Sequence, residues 1–307
     1  MRAGQMGHNA VMIYNRRTGC IEQEKVLGDS LLRFAYQSAF GKCLHWPLFA
    51  GSLCSRLLGF YADSQFSRRR IAGTVRELGI DLSEVEMPDG GFSSFNDFFT
   101  RKLKPGSRPL AGNVDCLISP ADCRMLVYPK LSGDCCIPVK GTRFTVAELL
   151  GLEGADLVEG FKDGALCICR LCPADYHRYH FPADGQLLKT WRLRGKYHSV
   201  HPLALQRGLR VFSENVRQVS ILELKGFGKT AFIEVGAFGV ASIQQTFEGT
   251  AFRRGEEKGF FAFGGSTIIL IFPAGRVNFS ADLLEKSGKN MECLVRMGEE
   301  IGLNTFF

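Results

Sequence analysis

From about residue 106 onward the chain breaks into short apolar runs. Among them are "DCLISP", "GALCICRL", "RQVSILEL", "TAFIEVGAF" and "STIILIF", set apart by glycines and other turn residues. Runs of this length, rich in Val, Ile and Phe, read as strands and not as helices. The predicted class is α+β, a β-rich core with few long helices. One run departs from its own pattern. In "FAFGGSTIILIF", Phe261 to Phe272, Gly264, Gly265, Ser266 and Thr267 interrupt an otherwise apolar, β-branched segment. Three readings compete: a turn, a poor membrane span, or a backbone that something reactive must approach closely.

The membrane span fails on length. The uncharged window from Gly259 to Gly275 is shorter than the roughly 20 apolar residues a spanning helix needs. The opening residues "MRAGQMGHNAVMIYNRRTGC" contain no apolar signal-type segment, so the expectation is a chain that stays in the cytoplasm. Eleven cysteines, single except for the pair Cys135 and Cys136 and the group Cys167, Cys169 and Cys172, fit reduced thiols better than a disulfide scaffold.

A net charge of +7 asks for an anionic partner, nucleic acid or an acidic membrane surface. Between Leu31 and Glu77 seven basic residues face two acidic ones, interleaved with Phe34, Tyr36, Trp46, Phe60 and Phe66. From about Ile21 to Leu78 the pattern is helical, with Phe49, Leu53 and Leu57 recurring every fourth residue and Pro47 at a first turn. Basic, aromatic-rich helices suit a bilayer surface; packing of the same faces on the protein's own core is the alternative. "PDGGFSSFNDFFTRKLKPGSRPL", Pro88 to Leu110, then predicts a turn, a short helix and a Pro-punctuated connector. A boundary near residue 105 separates a helical, membrane-associating region (1–105) from a β-rich catalytic domain (106–307).

Several motif readings fail. "KGFGKT" ends like a phosphate loop, but Glu223 stands where its first glycine belongs, so a hairpin turn is expected. Ile268 replaces the glycine that a nucleophile elbow needs after Ser266. Cys167 and Cys169 share one face of an apolar strand and read as buried structural thiols. His198 and His201 have no further ligand at metal spacing. No metal is expected. "PADYHRYHFPADG", Pro173 to Gly185, is richer: His177 and His180 lie among Asp175, Tyr176, Tyr179 and Asp184. They would neighbour each other on a helical turn and oppose each other on a strand. Upstream, "ISPADCRM" sets Asp122 just after an apolar strand and a proline.

Together, "SFNDFFTRKLKP" (94–105), "SPAD" (119–122), "DYHRYHFP" (175–182) and "KGFFAFGGST" (258–267) resemble, in order and spacing, the phosphatidylserine decarboxylases. "VGAFGVASI" and "RRGEEKGFF" also look like segments of that family. The resemblance implies self-cleavage between Gly265 and Ser266 into a large chain (1–265) and a small chain (266–307), with Ser266 becoming a covalent pyruvoyl group. It implies a cleavage triad of Asp122, His180 and Ser266, in which His180 is the base and Asp122 orients it. His177 is the implied proton donor as phosphatidylserine, held as a Schiff base, becomes phosphatidylethanolamine and carbon dioxide. A weak hydroxyl nucleophile needs such a base, and glycine at 265 leaves the carbonyl open to attack. The partners implied are phosphatidylserine, an anionic membrane surface on the cytoplasmic face of a bacterial-type cell membrane, and the chain's own two pieces as a heterodimer or an oligomer of it, without nucleic acid. The chain departs from the family pattern at Gly264, where leucine is usual, and at Cys123, where glycine is usual. A serine hydrolase using Ser266, His180 and Asp122, and a non-catalytic lipid-surface module, are the competing readings.

Overall fold

The run that begins at Ser266 is apolar throughout because both of its faces are covered. The structure is a computed structural model that describes residues 11–24, 52–113, 115–131, 136–139, 142–198, 210–237, 243–263 and 266–305. In it, Ile268 and Leu270 join one core with Cys167, Cys169 and Phe232, while Ile269 and Ile271 join another with Leu166, Ile168 and Ile233. A strand buried on both sides carries no polar alternation.

The strands, in chain order, are β1 Met12–Asn15, β2 Cys20–Gln23, β3 Cys116–Ile118, β4 Cys123–Tyr128, β5 Cys136–Val139, β6 Thr142–Thr145, β7 Ala165–Leu171, β8 Arg178–His180, β9 Gly185–Leu193, β10 Arg217–Leu224, β11 Gly228–Gly236, β12 Ile243–Gln245, β13 Ala251–Phe252, β14 Glu257–Phe261, β15 Ser266–Phe272, β16 Val277–Phe279, β17 Glu292–Val295 and β18 Glu300–Asn304. A 10-stranded sheet runs β13, β9, β10, β11, β15, β7, β4, β17, β1, β2. Its pairs are antiparallel except β1 with β17. A second sheet, β12, β14, β8, contributes Ile243, Phe261 and Tyr179 to the core on the Ile268 side. The architecture is the β-dominated α+β mixture that the spacing of the runs predicts.

"KGFGKT" is the hairpin between β10 and β11, and Cys167 and Cys169 are buried with their sulfurs 3.5 Å apart. The N-terminal reading needs correcting at one end. Residues 20–23 form a strand and not the start of a helix, pairing with β1 at the sheet edge. The helical pattern holds for Ser52–Asp63, the 3-10 turn Gln65–Arg70 and Ile71–Leu78; Pro47 and Phe49 lie outside the described residues. No helix among the described residues is long and apolar enough to cross a membrane.

The short helix expected within "SFNDFF" is Phe95–Phe99, whose Ser94 hydroxyl accepts the Asp97 N–H as an N-cap. It buries Phe95, Phe98 and Phe99 in a third core with Val85 and Phe92, against which Phe263 packs. The helix therefore grips the segment just ahead of Ser266: Phe263 donates its N–H to Asn96 Oδ1 at 2.8 Å, and its ring meets those of Phe95 and Phe99 edge-on at 5.0 and 5.3 Å.

Candidate active site

Ser266 opens β15 in the middle of the large sheet, opposite Gly236 of β11 and Leu171 of β7. It is wholly buried, and its hydroxyl has no hydrogen-bond partner; the same is true of Thr267 Oγ1. Buried polar groups without partners are rare in folded proteins because each forfeits its hydration. Two at adjacent positions mark a place where stability is not what the sequence serves. Gly264 and Gly265 lie outside the described residues.

His177 stands just ahead of β8, its backbone carbonyl accepting the Phe261 N–H of β14 at 2.9 Å. The ring is fully buried and lies tilted at 36° against Phe99, 3.9 Å centroid to centroid. Nδ1 lies 3.0 Å from the Asp175 carbonyl, which fixes the hydrogen on Nδ1, while Nε2 has no partner. Burial first, and then the charge of Arg101, pull the imidazole down to about 3. His177 is thus neutral at ordinary pH and presents a bare, weakly basic Nε2.

His180 closes β8. Its backbone N–H donates to Pro120 O at 2.8 Å, which ties the strand to the "SPAD" turn. Nδ1 is 3.0 Å from Gly255 O, and Nε2 is 3.2 Å from the Tyr176 hydroxyl. Burial lowers its pKa against the pull of the Gly255 carbonyl and of the Glu257 and Asp122 charges. The two histidines lie on a strand and its approach, so the sequence alternative of a shared helical turn is not realised.

Asp122 lies beside this unit but bonds elsewhere. Its carboxylate accepts from Arg108 through Nε at 2.9 Å and Nη2 at 2.6 Å, and from the Met297 N–H at 2.8 Å. A forked, charge-assisted pair outcompetes a neutral imidazole for the same oxygens. The expected direct bond from Asp122 to His180 is therefore absent here: Gly255 O orients the ring, and Asp122 acts on it as a nearby charge. Arg108, Phe99 and Asn96 are neighbours that the sequence does not single out: all three lie within the stretch Pro88 to Leu110, but only tertiary contacts tie them to the site.

His198 is buried at 4% exposure, away from any group of ligands, and His201 is outside the described residues. Among the described residues no cluster of His, Cys, Asp and Glu is arranged to hold a metal ion. The groups left without partners here are two hydroxyls at the head of a central strand, Ser266 and Thr267, and the bare Nε2 of His177. That set suits a group made from the serine itself, since the Ser266 hydroxyl is committed to no structural bond.

A family model described as phosphatidylserine decarboxylase matches residues 95–303. A "phosphatidylserine decarboxylase proenzyme" of Chlamydia trachomatis serovar D is 39% identical over 298 residues, 97% of this chain and 98% of that protein. Proteins of the same description from Fusobacterium nucleatum, 37% identical over 97% of this chain and 99% of its own length, and Clostridium botulinum, 39% identical over 95% and 99%, match equally end to end.

Proposed function

The chain belongs to the phosphatidylserine decarboxylase family, and from that premise we propose that it cuts itself between Gly265 and Ser266 and then converts phosphatidylserine to phosphatidylethanolamine and carbon dioxide. The observation that carries the reading is the buried, unpartnered hydroxyl of Ser266 at the head of β15.

In the first step the Ser266 oxygen adds to the Gly265 carbonyl carbon while His180 takes the hydroxyl proton. The carbon–nitrogen bond breaks and the amine leaves with that proton, so Gly265 is now esterified to Ser266. Loss of the α-proton of residue 266 expels the Gly265 carboxylate as the end of the large chain (1–265) and leaves dehydroalanine. Water then replaces its nitrogen, releasing ammonia, and the small chain (266–307) begins with a pyruvoyl group. That group supplies a ketone to bind the substrate amine and an electron sink when carbon dioxide departs.

The chain's own residues do the rest. His177 holds the proton to be delivered to the substrate α-carbon at Nε2. Because its resting state is neutral, it must collect that proton during the cycle, and it is a carrier more than a standing acid. Phe99 and Phe263 keep the surroundings of this proton transfer apolar, which favours loss of a charged carboxylate as a neutral gas.

Attachment to the bilayer by the region up to residue 105 is supported by its exposed apolar side chains. Leu57, Phe60 and Phe66 are 58%, 73% and 72% exposed, and Arg69 and Arg70 stand exposed on the turn that follows Phe66. Exposed rings beside cations suit an anionic, cytoplasmic membrane face.

A denaturing mass spectrum tests the reading. Two pieces are expected, the smaller one starting with pyruvoyl; a single 34.0 kDa chain would refute it. Ser266→Ala and His180→Ala are expected to remain uncut, whereas His177→Ala is expected to be cut but to release no carbon dioxide.

A further inference from the structure

None of these steps uses the cavity that opens beside Asp122. It has a volume of about 190 Å³, room for roughly six waters at about 30 Å³ each. Arg17, Gly79 and Asp81 form an exposed rim, and Arg101, Asp175 and Tyr176 a buried floor. Five arginines and four carboxylates line it, but the two signs are not equally satisfied.

Every carboxylate already has donors. Asp122 is held by Arg108 and the Met297 N–H, and Glu84 by Arg108 and Arg296. Asp175 is held by Arg124 and the Cys172 N–H, and Asp81 by the Ser83 N–H. Two guanidinium groups have no carboxylate bond. Arg17 has no side-chain partner among the described residues. Arg101 is only 4% exposed; it donates to the Phe98, Ala174 and Asp175 carbonyls, and its Nε is buried with no acceptor at all. A guanidinium taken out of water without a counter-charge is unfavourable. The unmet capacity of the buried floor is thus an N–H donor, Arg101 Nε, and the rim adds the Arg17 guanidinium, a pair of like charges that matches an oxyanion and phosphate above all.

We propose that this cavity is a phosphate-binding site, in which Arg101 from the floor and Arg17 from the rim hold the phosphodiester of the lipid headgroup. This deepens the reading above and rests on it for the choice of a lipid over free phosphate. The site is wired to both imidazoles. Arg101 Nη2 and His177 Nδ1 meet on the same acceptor, Asp175 O, at 2.9 and 3.0 Å. Tyr176, also on the cavity floor, bonds His180 Nε2. An anion on Arg101 offsets one of the two main influences that keep His177 unprotonated, so headgroup arrival readies His177 to take up a proton.

The test uses the full-length Ser266→Ala protein, which cannot turn substrate over; its uncut mass, checked first, belongs to the previous reading and not to this one. Glycerophosphoserine and inorganic phosphate are titrated separately by calorimetry. Glycerophosphoserine is expected to bind saturably, more weakly as salt is raised, and more tightly than phosphate. Adding Arg17→Gln is expected to weaken it about tenfold, the scale of one charge-assisted bond. Arg101→Lys is expected to do the same if its melting temperature is retained; should it unfold, the exposed Arg17 variant decides alone. No saturable binding, or unchanged affinity in Arg17→Gln, overturns the site. Tighter binding of inorganic phosphate overturns the headgroup assignment.

Discussion

His177 is where a single residue carries most of the chemistry, and its environment makes a definite statement about pH. An exposed histidine protonates near 6.5, but this one is held down to about 3. Between those values the unfolded chain binds a proton that the folded chain refuses. Stability is accordingly unaffected by His177 above pH 6.5 and falls as pH drops from 6.5 toward 3, at up to about 1.4 kcal/mol per pH unit. His177→Gln removes the titrating group while keeping a polar side chain, and its denaturant midpoint is expected to fall less steeply than the parent's over that window. Equal slopes would mean that the ring is not held neutral. The types at 122, 177, 180 and 266 were visible in the sequence because their chemistry is unusual among apolar runs. The orientation of each was not: that Gly255 and not Asp122 takes the His180 Nδ1 hydrogen depends on where Arg108 reaches, 14 residues from Asp122 in sequence.

Two elements illustrate how differently a pattern can be read. β15 announced itself by its β-branched run, and it is buried on both faces because β7 and β11 flank it and two cores enclose it. The helix Ser52–Asp63 announced itself equally, by apolar residues every fourth position, yet Leu57, Phe60 and the following Phe66 remain exposed. Periodicity reports that a face is apolar and says nothing of what covers it. If the cover is a bilayer, Phe60→Ser with Phe66→Ser should leave the melting temperature within a degree or two, since exposed side chains contribute little to folding. The same pair should lower binding to phosphatidylserine-containing vesicles about a hundredfold or more in a flotation assay, from roughly 1.5 to 3 kcal/mol of burial lost per ring. The short strand β2 is the opposite case. All but the first of its four residues lay inside the segment read as helical from about Ile21, and pairing with β1 overrode that local preference.

At the scale of the molecule, the proposed cut before Ser266 would not free the small piece. β15 lies between β7 and β11, β17 between β4 and β1, and β18 beside β3, so strands on both sides of the cut alternate within shared sheets. Arg16 adds a bond to Asp282 at 2.5 Å and one to Glu300 O at 2.8 Å. The two pieces are expected to elute as one species from a native sizing column and to separate only in denaturant. A buried charge network reinforces the join: Glu24, after β2, contacts Arg170 of β7 at 3.0 Å, and Arg170 contacts Glu292 of β17 at 2.6 Å. Because Glu24→Ala leaves buried guanidinium groups short of a partner, it is expected to cost about 3 to 5 kcal/mol in a denaturant titration.

By itself the sequence determined that the chain is β-rich, that its strands are short, which reactive residues it owns and that one apolar run is interrupted by glycines and hydroxyls, because run length, turn residues and side-chain chemistry are local properties. Only the tertiary structure decided which hydroxyl is left without a partner, which nitrogen of His177 is bare, and that a helix near residue 95 holds the approach to Ser266. Those depend on atoms brought together from far apart in the chain, and hydrogen-bond competition and burial exist only once the sheet has assembled.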